Sequence, residues 1–210
     1  SYRSATDYNV RGTVTFTTPP AIPNPVGASI IAAASAQGAP LASGPVSVDL
    51  KVPDSALLSV QQKIGDKFTL LGDIAWTGWS TVQELRVVRD SGATVSQTPE
   101  RWRDVMRYAL GGSYEFTPRF TLRPGTPYDN TPVPDATRTP RLPDSDRIWL
   151  TTGARWQPTD ALLLDFGYAH LFSKTVPLNQ NAGNAAASGL LVGEQESDID
   201  ILTAQLSYRF

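Results

Sequence analysis

Leu202-Thr203-Ala204-Gln205-Leu206-Ser207-Tyr208-Arg209-Phe210, the last nine residues, put Leu, Ala, Leu, Tyr and Phe on even positions and Thr, Gln, Ser and Arg on odd ones. Such alternation is the period of a strand with one apolar face. The pattern recurs upstream. Ile148, Leu150, Ala154 and Trp156 alternate with Arg147, Thr151, Gly153 and Arg155, and Leu162, Leu164, Phe166 and Tyr168 with positions that include Asp165 and Gly167. Met106, Tyr108, Leu110, Tyr114 and Phe116 oppose Arg107, Ser113 and Glu115; Phe68, Leu70, Ile74 and Trp76 oppose Thr69, Asp73 and Thr77. Val46, Val48, Leu50 and Val52 continue in phase past Pro53 into Ala56, Leu58 and Val60, and a shorter copy is Val10, Val14 and Phe16.

Composition narrows what such a chain does. The 18 basic and 20 acidic side chains of the 210 residues nearly cancel, which argues against nucleic acid as a partner. Charged residues are 18% of the chain, while 16 Gly and 17 Pro point to many turns and few long helices. The longest apolar run, Ile30 to Ala34, is far short of the ~18 residues of a membrane-spanning helix, so any membrane crossing is made by strands. With no cysteine, one histidine and one methionine, neither a disulfide framework nor a thiolate or His-based metal site is expected, and no cofactor is implied. No signal peptide opens the chain, and Ser1 reads as mid-protein.

The alternation fits a soluble β-sandwich that buries its apolar face or a transmembrane barrel that turns it to lipid. The connections favour the barrel. Counting back from Phe210, they alternate long and short: 174–197 long, 157–160 short, 127–145 long, 117–118 short, about 90–101 long, 65–66 short, 17–45 long. Outer-membrane barrels have this asymmetry, with tight periplasmic turns and large outer loops. The expected strands also reach the ~9–11 residues that a tilted transmembrane strand needs. Aromatics collect at their ends, Phe68, Tyr114, Phe116, Phe120, Trp156, Tyr208 and Phe210 near the short turns and Trp79, Trp102 and Phe172 near the long loops, as two interfacial girdles. The face opposite the apolar one carries Asp49, Lys51, Lys63, Asp73, Arg107, Glu115, Arg123, Arg147, Arg155, Asp165 and Arg209, too many charges for a dry core. About nine strands are expected in one domain over 1–210, beginning with the end of one at Ser1–Ser4. An odd count implies the C-terminal part of a larger antiparallel barrel.

The segments SYRS (1–4), WTGWS (76–80), YDNTPVP (128–134), RTPRLPDSDRIWL (138–150) and LSYRF (206–210) resemble the FadL-type long-chain fatty-acid transporter family of Gram-negative outer membranes, which also includes channels for toluene and related aromatic hydrocarbons. The resemblance covers essentially the whole chain, and the Pro-rich run 127–147 is its most specific part. It implies a barrel of about fourteen strands, monomeric when full length, with an N-terminal hatch and a lateral wall opening through which hydrophobic molecules leave. Hatch and wall opening have no counterpart in these residues. The implied activity is passive uptake of hydrophobic compounds, long-chain fatty acids first and aromatic hydrocarbons second. The resemblance also gives the terminal Phe210 a role as the signal read by the outer-membrane assembly machinery; a lipid-facing end residue is the plainer reading.

Candidate ligand contacts follow from chemistry. The stretch Thr17–Pro45 holds no charge and six prolines around Ile30 and Ile31. It either captures greasy molecules from the lipopolysaccharide layer or caps the barrel. Leu71, Trp79, Leu85, Trp149 and Leu163 share the inward parity and form a candidate apolar track, although Trp149 also suits a rim anchor. Arg107, Arg123, Arg147 and Arg155 either meet a ligand carboxylate or pair with Asp73, Glu115 and Asp165 in the wall. Asp144 and Asp146 beside Arg141 and Arg147 suggest an ion-paired turn, and five prolines between 127 and 143 an ordered lid. A barrel hydrolase is the alternative from another class. It would need a nucleophile beside His170, but that residue falls in phase with Leu164, Phe166 and Tyr168 on the lipid side. Asp198 and Asp200 read as a solvated entry to the last strand, and Asp129, Asp135, Asp144 and Asp146 do not match a calcium-loop spacing.

Overall fold

In a computed structural model the described residues are 1–17, 29, 32, 33, 36, 42–180 and 190–210. They form fourteen strands: β1 Tyr2–Arg3, β2 Thr6–Val14, β3 Gly44–Val52, β4 Ser55–Ile64, β5 Phe68–Thr77, β6 Glu84–Arg89, β7 Thr94–Pro99, β8 Val105–Thr117, β9 Phe120–Asp129, β10 Arg147–Trp156, β11 Leu162–Ser173, β12 Val176–Gln180, β13 Leu191–Gln195 and β14 Asp198–Tyr208. Eight of them make the main antiparallel sheet, in the order β1-β4-β5-β8-β9-β10-β11-β14. The sheets β2-β3-β6-β7 and β12-β13 extend it at the long-loop end.

The wall therefore counts eight strands, not nine. Tyr2 pairs with Ala56 and Thr6 with Val52, so one register runs through β1–β2 against β3–β4, and Ser1–Ser4 and Thr6–Val14 are one arm of a hairpin. Pro53, which has no N–H to give, marks the break between β3 and β4 without shifting the phase. With an even count the parity argument for further strands lapses. What stands instead is that β1 and β14, the outermost strands, pair with no one another, so the sheet is open.

Register assigns the faces. Leu58, Ile74, Tyr108, Tyr128, Ile148 and Phe172 form one cross-strand row, and Ile64, Phe68, Tyr114 and Leu122 another, all on the apolar face. At the short-turn end Tyr114 and Phe116 meet edge to face at 4.6 Å, and Tyr208 and Phe210 at 5.1 Å. The expected girdle is present there. Trp79 and Trp102 depart from expectation: they pair with each other among the loops.

Two segments read as loops carry strands. Thr94–Pro99 lies inside 90–101 as β7, and β12 and β13 lie inside 174–197. Both sit in hairpins; Gly92, at φ +83°, makes the β6–β7 turn. The strand β9 also outruns its expected end, reaching Asp129 through Pro124 and Pro127. Its pairing to β10 skips Trp149 and Leu150, where Pro127 and Thr126 would stand opposite.

On the polar face small residues recur. Thr151 Oγ1 donates to the Gly125 carbonyl at 3.0 Å, and Thr203 Oγ1 to that of Gly167 at 3.4 Å. A Cβ at Gly167 would stand 2.6 Å from Thr203 Oγ1. Gly167→Ala is accordingly expected to cost about 1–2 kcal/mol by overpacking. Thr203→Ala should relieve most of that cost in the double mutant, read as the urea midpoint of the refolded full-length barrel.

Candidate functional site

The polar face carries a charge lattice. Arg155 grips Asp165, directly opposite in register, through Nε at 2.8 Å and Nη2 at 3.3 Å, and Arg123 approaches the same carboxylate at 3.8 Å. Arg107 bonds Asp129 at 3.0 Å and Arg147 bonds Asp144 at 2.9 Å. Asp165 thus plays its expected part, whereas Arg107 and Arg147 take acids other than Asp73 and Glu115. A trough of about 600 Å³ runs along this face, with Leu71, Asp73, Arg107, Glu115 and Arg123 among its lining.

A second cavity, about 380 Å³, opens at the long-loop end. Chain reversals place its walls. After β5 a short 3-10 turn, Trp79–Thr81, swings Trp79 off the sheet, and the Ser80 N–H is held by Asp104 Oδ1 at 2.8 Å. Hydrogen bonds from the Ser80 hydroxyl and from its N–H keep the Asp104 carboxyl below its usual range. Trp79 meets Trp102 at 5.1 Å and 76°. Val133 and Leu142 come from the connection 130–146, and Arg107, Asp129, Asp144 and Arg147 lie at the polar side. The cavity is therefore amphipathic, with an aromatic and aliphatic body and a polar edge that holds two guanidiniums. Arg147 Nε is buried there without a hydrogen-bond partner.

The connection 130–146 is held by a set of polar bonds. Arg138, 2% exposed, donates to the carbonyls of Asp144 (2.9 Å), Val133 (3.2 Å) and Pro177 (3.4 Å) and pairs with Asp135. It ties the lid to β12. Thr131 gives its N–H to Asp146 (2.8 Å) and its hydroxyl to Asp144 (2.7 Å), and the Arg103 N–H reaches the Pro132 carbonyl at 3.0 Å. The ion-paired turn expected here exists as Arg147 with Asp144.

Glu100, 4% exposed, accepts the Trp102 indole N–H at 3.0 Å and so fixes that ring in the cavity wall. Burial raises its pKa; the Trp102 bond and the nearby positive Arg141 pull the other way. A carboxyl whose folded pKa exceeds its unfolded one binds its proton more tightly when folded, so this segment loses stability as pH rises from the unfolded value through the folded one. Glu100→Gln should remove that dependence and raise the amide protection factors of residues 100–103 at neutral pH; protection factors, corrected for intrinsic exchange, that still fall with pH in the variant would sink the assignment.

The sequence-derived candidates scatter. Trp79 and Arg107 share the 380 Å³ cavity. Trp149 adjoins them: Arg107 lies 5.8 Å from its ring centroid, and its indole N–H bonds Asp129 at 2.9 Å. Leu71 lines the trough. Arg155 is held by Asp165, and Leu163, opposite Ser207, sits at the short-turn end. Leu85 lies on β6, in the extension sheet opposite Thr98. Ile30 and Ile31 lie outside the described residues. Sequence reasoning missed Glu100 and Arg138, whose surroundings are built by loops with no period to read. His170 has the expected apolar-face parity, and its Nδ1 is 2.7 Å from Asp200 Oδ1, which also accepts the Tyr168 hydroxyl at 2.7 Å. Asp198 and Asp200 lie within β14, not before it, and Asp200 is bonded in place of being merely solvated.

Known proteins share this architecture. The chain is 32% identical over 142 residues to the long-chain fatty acid transport protein of Escherichia coli O6:H1, covering 68% of this chain and 32% of that relative. It is 35% identical over 130 residues to the 47 kDa outer membrane protein of Pasteurella multocida, covering 62% of this chain and 30% of that protein. The crystal structure of a Pseudomonas aeruginosa FadL homologue superposes with a TM-score of 0.82 at 28% identity, over 99% of this chain and 47% of that one. The Pseudomonas putida toluene transporter TodX shares the fold, with a TM-score of 0.52 at 17% identity over 80% of this chain and 39% of that one. The chain spans about a third of the length of these curated relatives and about half of the Pseudomonas homologue. The model of the outer membrane protein transport protein family (OMPP1/FadL/TodX) matches residues 1–210; the chain belongs to that family, and its sheet is part of an outer-membrane β-barrel with the apolar face toward lipid.

Proposed function

We propose that the full-length protein is a passive channel for uptake of hydrophobic compounds, long-chain fatty acids first, and that this chain supplies barrel wall and outer lid. The observation that carries the reading is the 380 Å³ cavity. Trp79, Trp102, Val133 and Leu142 offer an apolar body to an acyl chain, and Arg107 and Arg147 offer N–H donors to a carboxylate. Each guanidinium has five N–H groups, and the acid partners leave donors over. The relatives named for fatty-acid transport support the substrate class.

On this reading the long-loop end of the sheet faces outward, the short turns face the periplasm, and lipopolysaccharide surrounds the outer rim. Phe210 serves the assembly machinery, the full-length barrel is a monomer, and catalysis has no part in it. Ile30 and Ile31 take part in capture; Leu71, Leu85, Trp149, Arg155 and Leu163 are later contacts.

The test is oleate uptake by cells whose only such channel is the full-length protein. Arg147→Leu should lower uptake at limiting oleate about tenfold, the lower end of what one charge-assisted hydrogen bond supplies, and leave toluene entry unchanged. Trp79→Ala should slow both. Equal loss of toluene and oleate entry on Arg147→Leu would refute carboxylate recognition at this cavity.

A further inference from the structure

The lipid-facing side of the wall has a gap. Across adjacent strands, Val60, Gly72 and Leu110 stand opposite one another on the apolar face, and glycine leaves the middle of that row without a side chain. The neighbouring outward glycine, Gly112, is different: the Phe68 ring lies over it, 3.0 Å from where a Cβ would be. Nothing roofs Gly72 in this way. A Cβ there would meet only the Ala109 carbonyl, at 3.9 Å. The result is a groove of about 420 Å³ walled by Leu58, Val60, Ile74, Tyr108 and Leu110. That volume lies within the ~300–1,000 Å³ usual for ligand sites.

We infer that this groove is a fixed site for one acyl chain of an outer-leaflet lipid of the surrounding membrane. Three observations select that occupant. The groove is continuous with the lipid-facing belt of an outer-membrane barrel, so bilayer lipid is the medium against it. Its side-chain walls are apolar; Asp73, the charged residue in its lining, has the inward parity and also lines the trough on the opposite face, so it offers a headgroup no anchor here. Its height matches the outer leaflet: Leu110 lies six residues up β8 from the girdle residue Phe116. At ~3.4 Å per residue and ~40° of tilt that is about 15 Å, beyond the middle of a ~25 Å apolar band. Tyr108 stands two residues higher on the same face. An acyl chain laid in the gap gains dispersion contacts on both flanks that a chain against a flush wall lacks.

The experiment uses the full-length protein in phosphatidylethanolamine and phosphatidylglycerol vesicles, with a trace of phosphatidylethanolamine carrying a photoactivatable diazirine on one acyl chain. Cross-links should concentrate several-fold on Val60, Ile74, Tyr108 and Leu110 over Leu150, Leu202 and Leu206, whose exposure is comparable or greater. Gly72→Leu, which fills the gap without a backbone clash, should abolish that excess and leave the rest of the belt labelled as before. Thr126→Leu, which narrows the same groove from β9, should reproduce the effect should Gly72→Leu disturb folding. Even labelling along the belt, or an excess that survives both substitutions, would overturn the site. A free diazirine fatty acid that labels the groove in preference to the phospholipid would overturn the bilayer-lipid assignment. Because neither arm measures uptake, the result stands apart from the channel reading.

Discussion

Arg138→Ala is expected to release the lid over residues 130–146 and leave the barrel wall folded. The guanidinium is almost free of solvent contact and satisfies the carbonyls of Val133, Asp144 and Pro177. Alanine removes their donor without admitting water freely, and each orphaned carbonyl costs about 1–3 kcal/mol. Its bond to Asp135 matters less, because that carboxylate is largely exposed. The summed local penalty is about 3–5 kcal/mol, the scale of breaking one partner out of a buried polar cluster. The predicted signature is new protease cleavage and fast amide exchange between Thr131 and Asp146, with the heat resistance of the barrel retained. Arg138→Lys should rescue little, since one ammonium cannot reach carbonyls from both lid and strand in a fixed fork. Unchanged protection in Arg138→Ala would mean that the prolines alone hold the lid.

Leu150→Arg addresses the wall in turn. Leu150 is on the apolar face, six residues from Trp156 at the short-turn girdle, so its side chain meets lipid near the middle of the bilayer. Arginine there should destabilise the full-length barrel by about 2–4 kcal/mol. The control is Ser113→Arg, on the opposite face along the trough, where water and acids await the charge; its expected cost is near zero. The comparison is read as urea midpoints in vesicles. Equal costs at the two positions would contradict the face assignment.

Much of the wall was legible because a half-lipid, half-water environment writes itself into every second residue. The phase carried across Pro53 in Val46–Val60 reads in sequence as one run and in space as β3 and β4 in one unbroken register. Pairing partners were less accessible. That Arg155 faces Asp165 depends on a register that only the turn at 157–161 sets. Arg107 was expected to meet Asp73 or Glu115 and takes Asp129, because β9 runs on through two prolines that sequence reading treats as the start of a loop. The lid and the cavity were legible as chemistry but not as geometry. Trp79 and Trp102 look like girdle residues until the 3-10 turn after β5 and the backbone at Arg101, at φ +50°, bring their rings together. Arg138 sits among prolines and aspartates with no period around it, and only the fold shows that it alone of the charged residues of 130–146 is buried.

The first hairpin sets the height of the molecule. Its arm from Gly44 to Ile64 stays in one register against Ser1–Val14 on one side of Pro53 and against β5 on the other. Twenty-one residues at ~3.3 Å each make an arm about 70 Å long. Even tilted by ~40° it rises about 50 Å, twice the ~25 Å apolar band of an outer membrane. This hairpin therefore continues well above the hydrocarbon. Its upper end, where Val46–Val48 pair with β6, stands clear of the bilayer surface, so the sheet β2-β3-β6-β7 meets water where the wall below it meets lipid.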